Sequence, residues 1–212
     1  MFLATLEHPA HGTGLGVYKP RAGETPLVDF PSGTIHRREA ASYEFARLLG
    51  WEIVPPTVLR DGPHGEGSMQ LFIDHDPRLH YFELRGIERH EQQFVRIAAF
   101  DLVVNNADRK GGHLLLNEHG LWCIDNGLCF HRHEKLRTVI WDFAGTELPP
   151  PWVGDLQRAR DCLVREEEPA AALLALIEPA EVDALVQRCT DLAEQPVLPE
   201  MYPWRCVPWP MV

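Results

Sequence analysis

NNADRKGGHLLLNEHGLWCIDNG, residues 105–127, is the stretch that decides the fold. It begins where a strongly apolar segment ends. Phe94, Ile97, Ala98, Phe100, Leu102 and Val103 recur at helical spacing, which predicts a buried helix from about Glu91 to Asn105. Asn105-Asn106 stops it, and Ala107 to Gly112 reads as a loop. HLLLN (113–117) and LWCID (121–125) are short strands about the turn Glu118-His119-Gly120. Asp108 and Asp125 therefore flank a short hairpin, and both carboxylates can face one cleft. A hard cation between them would find oxygen ligands and room for water, which suits Mg²⁺ or Mn²⁺.

Upstream, FLATL (2–6) and LGVYK (15–19) read as strands joined by a turn over His8 to Gly14. Residues 20–36 carry Pro20, Gly23, Pro26, Pro31 and Gly33 and form a long loop. A helix follows over Arg37 to Leu49, with Ala40, Ala41, Phe45, Leu48 and Leu49 as its apolar stripe and Gly50 as its stop. IVPPTVL (53–59) and MQLFI (69–73) are strands separated by the turn RDGPHGEG. Downstream of Gly127 the chain is irregular to Pro151. Two helices close it, Asp155 to Glu167 and Pro179 to Glu194. The second places Glu181 and Asp183 in its first turn, as the helix dipole favours. The Pro- and Trp-rich segment PVLPEMYPWRCVPWP (196–210) is expected to lie extended over the domain, with Trp141, Trp152, Trp204 and Trp209 as packing anchors. Strands and one helix precede a helix-rich half. That order is α+β and two-lobed, with a hinge near Gln70 to Asp76. We read residues 1–212 as one domain, a small strand-rich lobe to about residue 74 and a helical lobe over 75–212.

Composition bounds the partners. Acidic residues outnumber basic ones 31 to 20, for a net charge of −11, and no run of Lys and Arg occurs. A nucleic-acid binder displaces counterions with a basic face, so that class is excluded, and a polybasic membrane patch is absent too. The five cysteines are odd in number and lack a CxxC pair, which speaks against a disulfide framework and for a reducing, cytoplasmic setting. Cys129, His131 and His133 alternate as strand-face zinc ligands would, but no fourth ligand accompanies them. MFLATLEHPA has no signal-peptide character, and no apolar run reaches membrane-spanning length.

Four elements form a constellation: Lys19, Glu39, Asp108 and Asp125. Singly each has a plain reading, as a surface lysine, a first-turn helix acid, a helix-terminating loop residue and a turn. Together they match the parts that phosphoryl transfer needs. A Lys neutralises nucleotide phosphates, and a Glu on a helix holds it. One Asp orients the attacking hydroxyl, and another holds the metal. Glu44, one turn beyond Glu39, is the rival helix partner.

REAASYEFARLLGWEIVPPTVL (38–59), NNADRKGGHLLL (105–116) and WCIDNGLCF (122–130) resemble the type II phosphatidylinositol 4-kinases and the secretory-pathway Golgi casein kinases. These belong to the atypical kinases similar to phosphatidylinositol 3- and 4-kinases, which include the bacterial HipA kinases. The chain also looks like an actinobacterial branch of that group. The resemblance spans about Val17 to Trp141. It implies a two-lobed minimal protein-kinase-like fold that binds ATP with Mg²⁺ or Mn²⁺. By it, Lys19 is the nucleotide lysine and Glu39 its partner, Asp108 is catalytic and Asp125 holds metal. Gln70 and Phe72 lie in the hinge whose backbone meets adenine. His113 stands where the family has Asn as second metal ligand. Imidazole suits softer ions, so Mn²⁺ should be preferred, with binding that weakens as pH falls below about 6.5. Only 18 residues precede Lys19. Either the phosphate-covering loop is missing or the natural start lies upstream of Met1.

The function expected is an ATP-dependent phosphotransferase acting on a hydroxyl of a small molecule or protein. A nucleotide-binding pseudokinase and an AMP transferase are the alternatives. A membrane phosphoinositide is disfavoured, since the palmitoylated cysteine cluster of the type II lipid kinases has no counterpart here.

Overall fold

Two hairpins make one sheet. β1 (Phe2–His8) and β2 (Gly12–Pro20) are antiparallel, with Phe2 opposite Tyr18 and Leu6 opposite Gly14. The computed structural model describes residues 1–10 and 12–212. β2 runs further back than LGVYK because Gly12 and Gly14, which suggest a turn, belong to the ladder opposite His8 and Leu6. At Gly16 a Cβ would lie 2.8 Å from Met69 Sδ, so the bare backbone is what fits there. β3 (Thr57–Gly62) and β4 (Gly65–Leu71) pair with Gly62 opposite Gly65. Only Pro63-His64 connects them, a tighter turn than the eight residues expected. β4 inserts between β2 and β3, giving the order β1-β2-β4-β3 and setting Lys19 opposite Ser68.

Between the hairpins runs α1 (Ile35–Leu49), ended by Gly50 in the left-handed conformation at φ 74°. The rest of the chain is mainly helical. α2 is Tyr81–Leu84 and α3 is Glu88–Val104. Phe94, Ile97, Ala99, Phe100, Val103 and Val104 of α3 are fully buried, so this helix is the centre of the core. Asn105 caps it at φ 56°, and its side-chain amide donates to the carbonyls of His131 and His133. β5 (Leu114–Asn117) and β6 (Gly120–Cys123) form a separate hairpin. α4 (Pro150–Val164) starts five residues before the expected Asp155. Pro150 and Pro151 occupy its first turn, where no amide partner is lost. α5 is Ala171–Leu174, and α6 is Pro179–Glu194, capped by Glu178 and Glu181.

One contiguous core joins α1, residues 51–54, α3, the β5–β6 hairpin, α4 and α6. The C-terminal segment lies extended over the loop after α3. Thr138 N–H donates to Cys206 O at 3.0 Å, and Gly111 N–H donates to Met211 O at 2.7 Å. Its tryptophans depart from expectation. Trp152 is buried against Trp51, but Trp204 and Trp209 are 57% and 77% exposed and anchor no core. All five cysteines are free thiols, and among the described residues no helix is long and apolar enough to cross a membrane.

Candidate active site

β2 delivers Lys19 and the second turn of α1 delivers Glu39, while the end of β6 delivers Asp125. The three meet. Lys19 Nζ lies 2.5 Å from Glu39 Oε1 and 2.9 Å from Asp125 Oδ1. Glu39 is buried, and its second oxygen accepts the Asn126 N–H at 3.1 Å. Glu44, the rival, instead pairs with Arg47 on the outer face of α1. Burial opposes the charge on Lys19, but the carboxylates of Glu39 and Asp125 outweigh it and push its pKa above the ordinary lysine range. Burial also raises Glu39, against the pull of Lys19. For Asp125, burial acts upward, and Lys19 and His113 outweigh it to hold the carboxyl at about 2. The chain turns at Asp125 with φ 58°, a left-handed conformation that Asp tolerates better than most residues. Gly127 follows because α1 passes close by. A Cβ there would sit 2.5 Å from Ile35 Cγ2.

Asp108 lies on the loop after α3, and its N–H donates to Asn106 Oδ1 at 3.0 Å. Its carboxylate is 3.4 Å from Lys110 Nζ, and burial raises its pKa despite that lysine. Arg109, the next residue, ties the loop down and points the other way. It is fully buried, forks onto Asp101 of α3 at 2.9–3.1 Å, and donates to Ile124 O and Asn126 Oδ1 on the far side. Sequence reasoning quoted Arg109 without giving it a role. Its adjacency to Asp108 was the available signal.

His113 closes the ring, with Nε2 3.3 Å from Asp125 Oδ2 and Nδ1 facing the Lys110 N–H at 3.4 Å. With Nδ1 accepting, the neutral ring carries its proton on Nε2, the nitrogen that faces Asp125. Burial is the main cause that lowers its pKa to about 4, so the ring is neutral near pH 7. The expectation of a titration near 6.5 is corrected by that burial.

Lys19, Glu39, Asp108 and Asp125 line one cleft of about 330 Å³, together with Gly23, Glu24, Thr25 and Leu27 of the loop after β2 and with Gly127 and Leu128. Gln70 and Phe72 are placed elsewhere. Gln70 lies in mid-sheet, paired to both neighbouring strands, and its buried side chain donates to Thr57 Oγ1. The Phe72 N–H donates to Leu15 O at 3.0 Å, so the sheet already uses that amide.

Among the described residues no three His, Cys, Asp or Glu side chains converge on a metal position, Cys129 and its neighbouring histidines included. The cleft nevertheless fits a divalent cation that keeps waters and phosphate oxygens as most of its ligands. Asp125 is half-exposed there and ionised, with a neutral imidazole beside it.

No protein-family model matches the chain. Solved structures place its fold. It is similar to hydra Fam20, solved with sugar, at a TM-score of 0.52 and 15% identity over 91% of this chain and 80% of that one. It is similar to the Golgi casein kinase with Mn/ADP bound at a TM-score of 0.53 and 14% identity over 95% and 74%. The fold is therefore α+β and kinase-like. The chain belongs to the same family as the Mycobacterium tuberculosis protein Rv2133c, with which it is 37% identical over 228 residues, 92% of this chain and 81% of that protein.

Proposed function

We propose that the chain is an ATP- and divalent-metal-dependent phosphotransferase with a hydroxyl acceptor on a small molecule or protein. The observation that carries this reading is Lys19 bridging Glu39 and Asp125 in a cleft that Asp108 also lines. In it, Lys19 meets the nucleotide phosphates and Glu39 fixes the ammonium. Asp108 orients the acceptor hydroxyl and takes its proton, for which a raised pKa suits it. Asp125 holds the cation, with His113 Nε2 as the second protein group once its proton shifts to Nδ1, at the expense of the Lys110 contact. The bound cation would screen the carboxylates from phosphate charge. Since the Phe72 amide is engaged, we place adenine recognition at the backbone just beyond it, within Ile73 and Asp74. We propose further that residues up to about 74 and residues 75–212 act as two lobes, that the protein is cytoplasmic, and that its kinship lies with the phosphatidylinositol 3-/4-kinase-like group. The Mn/ADP found in the Golgi casein kinase supports the nucleotide and the metal.

Titration calorimetry tests this. ATP or ADP should bind with Mn²⁺ or Mg²⁺ and lose most of its affinity in EDTA, because like charges face each other without the cation. Asp125→Ala should abolish the metal-dependent part. Asp108→Ala should keep it and remove ATP consumption in cell extract. Equal affinity with and without EDTA sinks the reading, and binding without any ATP consumption favours a pseudokinase.

A further inference from the structure

The loop between β2 and α1 separates two hollows. On one side is the cleft of Lys19 and Asp125. On the other is a chamber of about 560 Å³ reaching to the β3–β4 turn. Glu24, Thr25, Leu27 and Ile35 line both, so the hollows share a wall. Phe30 and Ile35 are among its apolar walls, and Arg21, Glu24, Thr25, Ser32, His64 and Glu66 are its polar groups, a mixed lining that a small molecule with one charged end can use.

Glu24 is the unusual member of that wall. Its side chain is only 10% exposed. Oε1 accepts two hydrogen bonds from His36, from the backbone N–H at 2.8 Å and from ring Nδ1 at 2.6 Å. Oε2 is shielded from solvent and has no hydrogen-bond partner. Across the chamber Glu66 presents a second carboxylate, 3.7 Å from the otherwise unpartnered Nε2 of His36. Arg21 approaches Glu66 only at 4.0 Å and is itself 59% exposed. The chamber thus joins apolar walls to two carboxylates, one of which keeps an oxygen, Glu24 Oε2, without a donor. A shielded carboxylate oxygen is stabilised by a charged N–H donor more than by any neutral group.

We propose that this chamber binds a primary ammonium group carried on an apolar stem, with Glu24 Oε2 as its partner and Glu66 as the flanking charge. Glu24 sits on an otherwise exposed loop, and binding at Oε2 requires that loop to shift outward and open the oxygen to the chamber. The shared wall places such a ligand beside the cleft, so the phosphoryl acceptor is a compound that carries a hydroxyl besides this ammonium: its oxygen bonds the γ-phosphorus of ATP, the bond to ADP breaks, and the hydroxyl proton passes to Asp108. This last step rests on the function proposed above. The binding site itself does not.

The probes are n-butylammonium, with n-butanol and butyrate as neutral and anionic counterparts, and a blocked Gly-Lys-Gly peptide. Binding is read by NMR titration of the nucleotide-free protein. Butylammonium or the lysine peptide should bind, and whichever binds tighter identifies a free amine or a lysine side chain as the source. Butanol and butyrate should bind at least about tenfold more weakly. Glu24→Gln should weaken the ammonium probe about tenfold. Glu66→Lys, at an exposed position of β4 outside the cleft, should weaken it several-fold by repulsion and leave calorimetric binding of nucleotide with Mn²⁺ unchanged. The site is overturned if neither ammonium probe binds, if butanol binds as well as butylammonium, or if both variants bind it as the native protein does. Loss of nucleotide binding in the native protein, with ammonium binding intact, refutes the phosphotransferase and spares the site.

Discussion

At the scale of single residues, His113 separates what spacing can say from what burial decides. Its position five residues after Asp108 is visible in the sequence, and so is its likeness to a ligand. Its environment is not. The hairpin folds back and buries the ring, Arg109 and Lys110 add a smaller push against the pull of Asp125, and a group that would titrate near 6.5 in an open chain is lowered to about 4. The folded pKa is the lower one. Between about pH 6.5 and 4 the unfolded chain therefore binds one more proton at this position than the native protein. Stability must rise with pH across that window and be lost as pH falls through it. In EDTA, denaturant melts should show the native protein losing up to about 3 kcal/mol more than His113→Asn between those limits. Parallel curves for the two proteins would remove the burial argument. The meeting of Lys19, Glu39 and Asp125 was legible because their order implies separate roles. Glu24 was not legible, because its partner His36 is twelve residues away and nothing local marks the pair.

At the scale of elements, helices were read best where an apolar stripe ends at a stop residue. α1 has Gly50 and α3 has Asn105 for this, and both boundaries hold. α4 was started late because proline suggests a break, although a first turn accepts it. Gly12 and Gly14 misled in the same way, since glycine suggests a turn but also sits within an antiparallel ladder. What joins the elements was the least legible. Arg109 and Asp101 are eight residues apart and both wholly buried, and the arginine also reaches Ile124 and Asn126 beyond β6. One guanidinium thereby fixes α3, the Asp108 loop and the Asp125 turn to each other. Replacing one partner of a buried pair strands the other charge, at about 3–5 kcal/mol. Arg109→Leu should lose that much in urea denaturation, and Arg109→Lys should lose less while still failing to hold the fork. A loss under about 1 kcal/mol for the leucine variant would mean that the loop is held by the paired backbone of Arg109 and Thr138 instead.

At the scale of the whole molecule, the core is unevenly shared. The contiguous apolar cluster takes in α1 and the helical half, while the buried sheet residues Tyr18 and Met69, and Ile73 just beyond β4, fall outside it. β1 is mostly exposed, and β2 carries three glycines with little side-chain area to bury. α1 is held to the helical half at full burial, where Arg38 donates to Glu181 at 2.6 Å and to Cys129 O at 2.7 Å. Lys19 reaches that same half from the sheet through Glu39 and Asp125. Local stability should follow this division, since regions with fewer buried contacts open at lower free energy. In hydrogen exchange, β1 and β2 amides should exchange first and α3 amides last, at the rate of global unfolding. ADP with Mn²⁺ bound across Lys19 and Asp125 would stabilise only states in which sheet and helical half are together. Protection should then rise in β2 and the strand-end segment near Ile73, and hardly change in the first turns of α6. Asp125→Ala should erase the ligand-dependent protection and leave the difference between sheet and helices in place. Uniform exchange across β2 and α3 without ligand would mean that the molecule opens only as a whole. Protection that spreads evenly on adding ADP with Mn²⁺ would place the nucleotide away from the junction that Lys19 makes.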